Sequence, residues 1–317
     1  MEDRDTQILS PTTQDLERAA RILEAGGLVS FPTETVYGLG ADARHGRAVA
    51  DIFAAKNRPS FNPLIVHVAD VEHAQRHAQI TGDAERLAQA FWPGPLTLVV
   101  PLSERHGLSE LVTAGLPTVG VRMPDHPVAQ GLLRALDGPI AAPSANPSGK
   151  ISPTTAQHVM SGLAGRIDAV IDAGPCQVGL ESTIVGFENG EPILLRPGGL
   201  PAEAIEAALS RPLIPWQNGN AINAPGQLQS HYAPRSAVRL NAEAAREGEL
   251  YLGFGSKTGD MNLSPSGDLA EAAARLFASL HALDEHGKPI AIAPIPETGL
   301  GRAINDRLRR AAAPKPA

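Results

Sequence analysis

Polar side chains able to bind an amine or a phosphate follow a predicted buried strand near the start of the chain. The apolar run at residues 28–31 leads into Pro-Thr-Glu-Thr-Val-Tyr-Gly-Leu at residues 32–39. Because ligands of α/β proteins are received at strand ends, the hydroxyls and the carboxylate here favour a substrate-binding segment. The same residues would also suit a turn held by side-chain hydrogen bonds. The segment alone leaves both interpretations open.

Two cations, Lys56 and Arg58, stand at the predicted end of a helix, and Asn62 and His67 follow them toward the next strand. A point charge beside a planar guanidinium that can hold two oxygens is what a triphosphate requires. The alternative is that both cations only complement the helix C-terminus, a contact worth about 0.3–1 kcal/mol at a surface. The pair therefore fits phosphate binding without requiring it.

A third cation, Arg122, ends an apolar strand at residues 118–122, where an unpaired charge would be costly to bury. It needs an anionic partner, which is either a ligand or a carboxylate of the protein itself. Further clusters of small, polar or cationic residues adjoin strands at 141–149, 179–185 and 195–199. Small residues there let backbone N–H groups approach an anion. Together these clusters predict a polyanion-binding site.

Other catalytic patterns are missing from the sequence. The glycine-rich run at residues 253–259 lacks the Gly-Lys-Ser/Thr order of a phosphate loop, and no Gly-x-Ser-x-Gly elbow occurs. The single cysteine, Cys176, excludes a disulfide and a cysteine-rich zinc site within the chain. No protein metal ligand is therefore predicted.

Alternating helix and strand patterns position these clusters. Apolar residues at helical spacing predict helices over residues 14–25, 48–55, 84–91, 126–136, 154–163 and 202–209. Short apolar runs predict strands over residues 28–31, 64–68, 96–100, 119–122, 140–142, 169–172, 182–185 and 193–195. The consecutive strands after residue 170 do not fit a doubly wound parallel sheet. The predicted fold class is therefore α/β with a mixed, partly antiparallel, twisted sheet.

Two domains are predicted, because 317 residues exceed what one hydrophobic core usually serves. Residues 11–210 form the first. Helical and strand periodicity disappears at residues 211–236, where Pro, Gly, Asn and Gln dominate as in a linker. Strands over 249–253 and 290–293 and helices over 269–283 and 303–311 then indicate a small α/β domain at residues 237–312.

Charge and hydropathy restrict the classes of partner. The formal charge of −7 argues against a general nucleic-acid-binding surface, so any RNA contact is expected to be local. The first residues lack the apolar stretch of a secretory signal, and no run of about 18 apolar residues predicts a membrane span. We expect a protein of the reducing cytoplasm without membrane contact.

Seven motifs occur in order between residues 11 and 210: 32–39, Lys56 and Arg58 with 62–64, 92–97, 119–124, 142–146, 181–184 and 196–198. On these motifs the chain resembles the YrdC-like threonylcarbamoyl-adenylate synthases. One motif would carry little weight, whereas seven in series are hard to obtain by chance. Residues 224–226 and 230–234 resemble the interdomain segment of the long form of this family. Residues 299–307 resemble part of its Rossmann-like C-terminal α/β/α domain.

The resemblance implies a nucleotidyltransferase that joins L-threonine to bicarbonate or CO2 as an N-carboxy species. This species attacks the α-phosphate of ATP and expels pyrophosphate. The product, L-threonylcarbamoyl-adenylate, would serve a downstream threonylcarbamoyl transferase complex that forms N6-threonylcarbamoyladenosine in tRNAs reading ANN codons. A weak contact with tRNA is a further expectation. ATP is then a substrate, with Mg²⁺ held mainly by its phosphates.

Matching positions give the expected site. The resemblance places L-threonine on Thr35, His67, Arg122, Ala142 and Ser182, with backbone contacts only from Ala142. It places ATP on Lys56, Arg58, Asn62, Thr118, Ser144, Ser152, Arg196 and Tyr232. Lys56, Arg58 and Arg196 are the expected catalytic groups, because they would neutralise charge developing on pyrophosphate. The linker is expected to fold over the nucleotide as a lid, with Tyr232 excluding water.

Two other functions stay open at this point. The same domain type occurs in carbamoyltransferases that mature hydrogenases, but their zinc-finger and acylphosphatase-like regions have no counterpart here. The other alternative is a non-catalytic, RNA- or tRNA-binding or regulatory module, because a patch of Lys56, Arg58, Arg122 and Arg196 would offer a local positive surface. Pyrophosphate release that requires L-threonine would distinguish the synthase from this module.

Overall fold

A computed structural model describes residues 4–216 and 232–314 of the chain. Helices and strands alternate through most of these residues, as predicted. In chain order the elements are β1 (Gln7–Leu9), α1 (Thr13–Glu24), β2 (Val29–Phe31), β3 (Gly38–Asp42), α2 (Gly46–Lys56), β4 (Ile65–His67), α3 (Val71–His77), α4 (Asp83–Phe91), β5 (Leu96–Pro101), α5 (Glu110–Thr113), β6 (Thr118–Arg122), α6 (Pro127–Leu136), β7 (Ile140–Ala141), α7 (Ala156–Leu163), β8 (Ala169–Ile171), β9 (Thr183–Glu188), β10 (Glu191–Arg196), α8 (Ala202–Leu209), β11 (Ile214–Pro215), β12 (Val238–Arg239), β13 (Leu250–Gly253), β14 (Met261–Asn262), α9 (Leu269–Glu285), β15 (Ile290–Ile292) and α10 (Leu300–Ala312).

Strands β1 to β11 form one sheet in the order β1-β8-β2-β3-β7-β4-β6-β5-β9-β10-β11. β4 pairs in parallel with β6, and β5 with β9, whereas β5 and β6 are antiparallel. The prediction of a mixed sheet is confirmed. In such a sheet the carboxyl ends of neighbouring strands do not share one edge, so a site between strands cannot be placed from the strand ends alone. We call this sheet with helices α1–α8 the N-terminal unit.

Strands β12 to β15 form a second sheet in the order β12-β15-β13-β14, and all of its strand pairs are parallel. This agrees with the Rossmann-like arrangement expected from the sequence. Its core consists of apolar side chains of α9, α10, β13 and β15, among them Leu252, Leu276, Phe277, Leu280, Ile290, Ile292, Ile304 and Leu308. We call this sheet with α9 and α10 the C-terminal unit.

The two units share an apolar core. Val36, Ile151 and Leu180 of the N-terminal unit belong to the same buried cluster as the core of the C-terminal unit. The backbone of α9 also approaches Gly179, where a Cβ would lie 2.5 Å from the carbonyl oxygen of Ala273. Gly179 has φ +71°, a left-handed conformation that favours glycine. The C-terminal unit is therefore packed directly against the segments that precede β9 and follow β2.

β3 is the main element that the sequence pattern missed. Its residues, Gly-Leu-Gly-Ala-Asp, contain two glycines, a residue type that is depleted in strands, so the local pattern predicts no strand here. The structure shows why a glycine is needed at residue 40: a Cβ there would lie 2.8 Å from side-chain atoms of both Ile140 and Phe31. Tertiary packing therefore determines the sequence of this strand, and the local sequence pattern contains no information on that packing.

The predicted boundaries at residues 210 and 236 stay predictions. β11 pairs with β10 and extends the large sheet slightly beyond residue 210. Most of the predicted linker, including residues 224–226, 230 and 231 of the family-like segment, lies outside the described residues. No described helix combines the length and the apolar character needed to cross a membrane.

A substitution at Leu180 tests whether the two units share one apolar core. Its side chain is fully buried between the two units. Leu180→Ala should lower the free energy of unfolding by about 2–5 kcal/mol, because it leaves a cavity in that core. Leu111→Ala, at a residue that is 38% exposed on α5, is the control and should change it far less. Urea denaturation followed by circular dichroism measures both. Equal small changes for the two variants would contradict a shared core.

Candidate active site

A cavity brings together most of the residues that the family resemblance assigned. Its wall consists of Thr33, Thr35, Val36, Gly38, Arg58, Ile65, His67, Arg122, Ala142, Pro143, Ser144, Glu181, Ser182, Arg196 and Tyr232. All five expected L-threonine contacts lie in this wall, as do Arg58, Ser144, Arg196 and Tyr232 of the expected ATP contacts. Lys56, Asn62, Thr118 and Ser152 do not.

The cavity lies over a face of the large sheet. Ile65 and His67 are two residues apart on β4, so their side chains point to the same face. Arg122 is the cross-strand neighbour of His67 on β6 and shares that face. Loops from both ends of the mixed sheet then close over it. The floor is formed by β4 and β6, which are interior strands of the sheet, and His67 and Arg122 are the last residues of these strands.

Arg122 has a carboxylate partner within the protein, which is one of the two alternatives that its sequence context allowed. Its Nη2 lies 2.6 Å from Glu34 Oε1, and both side chains are buried. Arg122 Nε also donates to the carbonyl oxygen of Gly94 at 3.3 Å. A guanidinium has five N–H donors, so Arg122 retains capacity for a second anion. From the sequence, the Glu34 carboxylate is expected to bind a ligand, whereas the structure pairs it with Arg122; the need of Arg122 for an anionic partner was the available signal.

Hydroxyl groups border the same region. Thr33 Oγ1 and Thr35 Oγ1 hydrogen-bond at 2.8 Å, and Thr33 Oγ1 donates to the carbonyl oxygen of Val36 at 2.7 Å. These bonds fix the segment after β2 as it crosses the cavity. On the other side, Ser182 Oγ hydrogen-bonds Thr97 Oγ1 at 2.7 Å. The turn-like hydrogen bonds of residues 32–39 therefore shape a cavity wall, and the contact of this segment with a substrate stays a prediction.

His67 is a neutral imidazole at neutral pH. Burial, reinforced by the nearby positive charge of Arg122, lowers its pKa from 6.5 to about 3. The Phe31 ring meets it edge-on, with ring centroids 6.2 Å apart. His67 can therefore offer a hydrogen bond to a substrate without adding charge to the cavity.

Arg58 and Arg196 bring two further buried guanidinium groups to the cavity. Arg58 Nη2 donates to the carbonyl oxygen of Pro63 at 3.0 Å, and Arg196 Nη2 donates to that of Ser182 at 2.8 Å. Burial lowers the pKa of Arg58 to about 10 and lowers that of Arg196 as well. Both groups stay protonated at neutral pH. Carbonyl oxygens orient these cations without cancelling their charge, so the cavity is suited to anions.

Lys56 lies behind the wall. Its ammonium group donates hydrogen bonds to the carbonyl oxygens of Ser144 and Asn146, and it is 2% exposed. Burial, followed by the charge of Arg58, lowers its pKa well below the usual value. In this geometry Lys56 holds the loop that carries Ser144. Its expected position along the phosphates stays a prediction.

The remaining expected ATP contacts differ in their surroundings. Asn62 is buried, and its side-chain amide has no hydrogen-bond partner among the described residues. Thr118 begins β6 and pairs with Pro101, at the opposite end of the strand from Arg122. Ser152 Oγ donates to Glu181 Oε1 at 2.5 Å, which places it one contact behind the cavity wall. Their contacts with ATP stay predictions.

Tyr232 is the first described residue after the gap and forms part of the wall. It is 1% exposed and has φ +62°. Its ring stacks on Phe277 of α9, with ring centroids 5.7 Å apart. Ala233 N donates to the carbonyl oxygen of Gly149 at 2.8 Å, which ties the segment to the N-terminal unit. Tyr232 therefore lies between the two units, in the cavity wall.

Arg307 of α10 was not assigned from the sequence, although residues 299–307 carried a family resemblance. Its Nε donates to Glu181 Oε2 at 2.7 Å, and its side chain is completely buried. Through Glu181 it reaches the cavity wall. Because residues 181 and 307 are far apart in the chain, no local sequence pattern predicts this contact.

Comparison with known proteins gives consistent matches along the chain. A family model named Sua5_yciO_yrdC and described as "Telomere recombination" matches residues 21–198. The model described as "Threonylcarbamoyl-AMP synthase, C-terminal domain" matches residues 200–313.

Individual relatives agree with these models. The threonylcarbamoyl-AMP synthase of Pyrococcus abyssi is 42% identical and aligns over 92% of each chain. That of Bacillus subtilis is 41% identical over 97% of this chain and 95% of its own. The crystal structure of P. abyssi Sua5 complexed with L-threonine superposes with a TM-score of 0.89 at 40% identity, covering 97% of this chain and 98% of that one.

The depressed pKa of His67 makes stability depend on pH. Between pH 6.5 and about 3 the unfolded chain binds a proton at this residue that the folded chain does not. Lowering the pH through this window therefore favours unfolding, whereas above it the stability is retained. In His67→Gln the fall in the free energy of unfolding should be shallower, by at most about 1.4 kcal/mol per pH unit.

Urea denaturation at a series of pH values measures this slope. His45→Gln, at an exposed histidine, is the matched control and should follow the unsubstituted protein. A slope for His67→Gln equal to that of the control would contradict a neutral, buried His67.

Proposed function

The chain belongs to the threonylcarbamoyl-AMP synthase family, and from this premise we propose that its cavity makes L-threonylcarbamoyl-adenylate from L-threonine, bicarbonate or CO2, and ATP. The observation that carries the proposal is the convergence of the buried cations Arg58, Arg122 and Arg196 on one cavity that also contains hydroxyls and a neutral histidine. One substrate carries a carboxylate and the other a triphosphate, and both need such cations.

We assign L-threonine to the part of the cavity formed by Thr35, His67, Arg122, Ala142 and Ser182. Arg122 suits the amino-acid carboxylate, because the Glu34 ion pair and the Gly94 carbonyl hold it in place and leave donors available. A P. abyssi relative was crystallised with L-threonine, which supports this substrate.

We assign the nucleotide to Arg58, Ser144, Arg196 and Tyr232. The guanidinium groups of Arg58 and Arg196 would hold phosphate oxygens and stabilise the charge that develops on departing pyrophosphate. Lys56 contributes by fixing the loop of Ser144 from behind, through two backbone carbonyls. Asn62, Thr118 and Ser152 are proposed to contact ATP on the family resemblance.

The chemistry needs little covalent work from side chains. The amino group of L-threonine forms an N–C bond with CO2 and loses a proton, or forms it with bicarbonate and releases water. A carbamate oxygen then attacks the α-phosphorus of ATP, and the bond from that phosphorus to the bridging oxygen of the β-phosphate breaks. Pyrophosphate leaves with the electron pair. Positioning of two substrates in one cavity and stabilisation of charge therefore carry the rate.

Mg²⁺ is proposed to arrive with ATP. Within the described residues no group of three His, Cys, Asp or Glu side chains is arranged to hold a metal ion. Glu181, a carboxylate of the cavity wall, already accepts hydrogen bonds from Ser152 and Arg307. Mg²⁺ would then be bound chiefly by the phosphate oxygens of ATP and would neutralise their negative charge.

Tyr232 is proposed to protect the product. A mixed carbamic–phosphoric anhydride is hydrolysed by water, so the reaction benefits from a closed site. Tyr232 covers the cavity and is fixed by Phe277 of the C-terminal unit. The contacts of Tyr232 and Ala233 support the proposal that the linker acts as a lid. The product would pass to a transferase that modifies tRNA.

The geometry disfavours an RNA-binding module. That alternative depended on a surface patch of Lys56, Arg58, Arg122 and Arg196, yet their exposed fractions are only 2%, 9%, 4% and 4%. Binding to a phosphate backbone requires cations that an extended polyanion can reach. Cations enclosed in a cavity suit a small anionic substrate instead.

The direct test is incubation of the purified protein with ATP, bicarbonate and Mg²⁺, with and without L-threonine. Pyrophosphate and an adenylate with the mass of threonylcarbamoyl-AMP should appear only with L-threonine. L-Valine, which replaces the hydroxyl by a methyl group, is the matched control substrate. ATP binding without turnover under any amino acid would contradict the proposal.

Substitutions in the proposed L-threonine and ATP subsites should change different kinetic constants. Arg122→Lys should raise KM for L-threonine roughly 10- to 100-fold, because it loses a bidentate contact to a charged group. KM for ATP should change little. Arg196→Ala should instead lower kcat about 100-fold or more, as expected for a transition-state donor.

Arg76→Lys, at an arginine whose side chain is 55% exposed on α3, is the control. It should match the unsubstituted protein in all three constants. Identical kinetic changes in Arg122→Lys and Arg196→Ala would contradict separate subsites.

A further inference from the structure

The C-terminal unit places one charged side chain in contact with the cavity wall. Arg307, on α10, is the largest fully buried side chain among the described residues. Burial of a guanidinium is costly unless its charge and donors are satisfied, so its partners indicate its role. Those partners belong to the segments that form the active site.

We propose that Arg307 is a positioning residue for ATP: it neutralises Glu181, so that the cavity wall admits a triphosphate. The inference rests on the proposed function, because it concerns the nucleotide of that reaction. It assigns a specific task to the C-terminal unit, whose contribution neither the sequence nor the family resemblance specified.

Glu181 connects Arg307 with the cavity. It lines the cavity, and both of its carboxylate oxygens are engaged. Ser152 Oγ donates to Oε1 at 2.5 Å, and Arg307 Nε donates to Oε2 at 2.7 Å. Among the described residues, Arg307 is its only ion-pair partner. A carboxylate in a wall that must receive a triphosphate would repel it, and because Glu181 is buried such repulsion is weakly screened.

Arg307 also contacts two other parts of the site. Its Nη1 donates at 3.0 Å to the carbonyl oxygen of Pro197, the residue that follows Arg196. Its guanidinium carbon lies 5.0 Å from the centroid of the Tyr232 ring, a distance at which a cation is attracted to the ring face. Asp306 Oδ2 accepts a further bond at 2.7 Å and partly balances the charge. One side chain thus links Glu181, the Arg196 segment and Tyr232.

Arg302 shows that not every contact between the units has this character. It lies on the same helix and forms an ion pair with Glu203 of α8 at 3.3 Å. The two side chains are 47% and 45% exposed, and neither residue lines the cavity. Arg302 is therefore a matched control, an arginine of α10 that bridges the two units without touching the site.

The experiment uses the full chain with Arg307→Gln, Arg302→Gln and the double variant Glu181→Gln/Arg307→Gln. In Arg307→Gln the unpaired carboxylate should raise KM for ATP roughly 10- to 100-fold, in line with the loss of a bond to a buried charged group. KM for L-threonine should stay within about threefold. Arg302→Gln should match the unsubstituted protein.

The double variant discriminates charge neutralisation from simple support. Removing the carboxylate together with its partner should return KM for ATP to within about threefold of the original value, since the wall then has no unpaired carboxylate and Asp306 keeps its ion pair with Arg310. A double variant as impaired as Arg307→Gln would overturn the proposal. An Arg302→Gln variant as impaired as Arg307→Gln would also overturn it.

Two measurements keep the test decisive. Circular dichroism and calorimetric binding of L-threonine show whether each variant is folded. If Arg307→Gln does not fold, Arg307→Lys replaces it: charge is kept, so KM for ATP near that of the unsubstituted protein supports the proposal, and a rise above about tenfold overturns it.

Direct titration with ATP separates this inference from the proposed reaction. If the unsubstituted protein releases no pyrophosphate, the proposed function fails. The dissociation constant for ATP in the same variants then tests the role of Arg307, with the same order expected. Equal ATP affinity in all of them would overturn it.

Discussion

The burial of cations over one face of the large sheet is the constraint on which the site depends. Arg58, Arg122 and Arg196 are removed from water, and transferring such charges into a protein interior is costly unless they are paired or hydrogen-bonded. Backbone carbonyls hold all three, and Glu34 pairs with Arg122. The interior thus keeps positive charge oriented before any ligand arrives, as catalysis by positioning requires.

The C-terminal unit completes the site by filling the region behind the wall. Its apolar core continues into the N-terminal unit through Val36, Ile151 and Leu180, so the two units are held by core-like packing. This packing explains how a side chain as polar as Arg307 can be delivered without exposure to water. It also explains why Tyr232 is held firmly by Phe277. Fold and site are therefore parts of one buried network.

Sequence patterns predicted much of this fold, because helices such as α1 and strands such as β5 have the expected periodicity. β3 was not predicted, because close packing against Phe31 and Ile140 requires a glycine at residue 40, whereas glycine is depleted in strands. The family resemblance assigned the candidate residues, and most of them do meet in one cavity. The pairing of Arg122 with Glu34 and that of Arg307 with Glu181 could not be predicted, because they join segments distant in the chain. Burial of Lys56 behind the wall likewise depends on tertiary structure.

The most direct measurement is a crystal structure of the full chain with L-threonine and a non-hydrolysable ATP analogue. We expect both ligands to occupy the one cavity, with the amino-acid carboxylate on Arg122 and phosphate oxygens on Arg58 and Arg196. The α-phosphate should face the threonine amino group. A nucleotide bound outside this cavity, or ligands that leave the three guanidinium groups without contact, would contradict it.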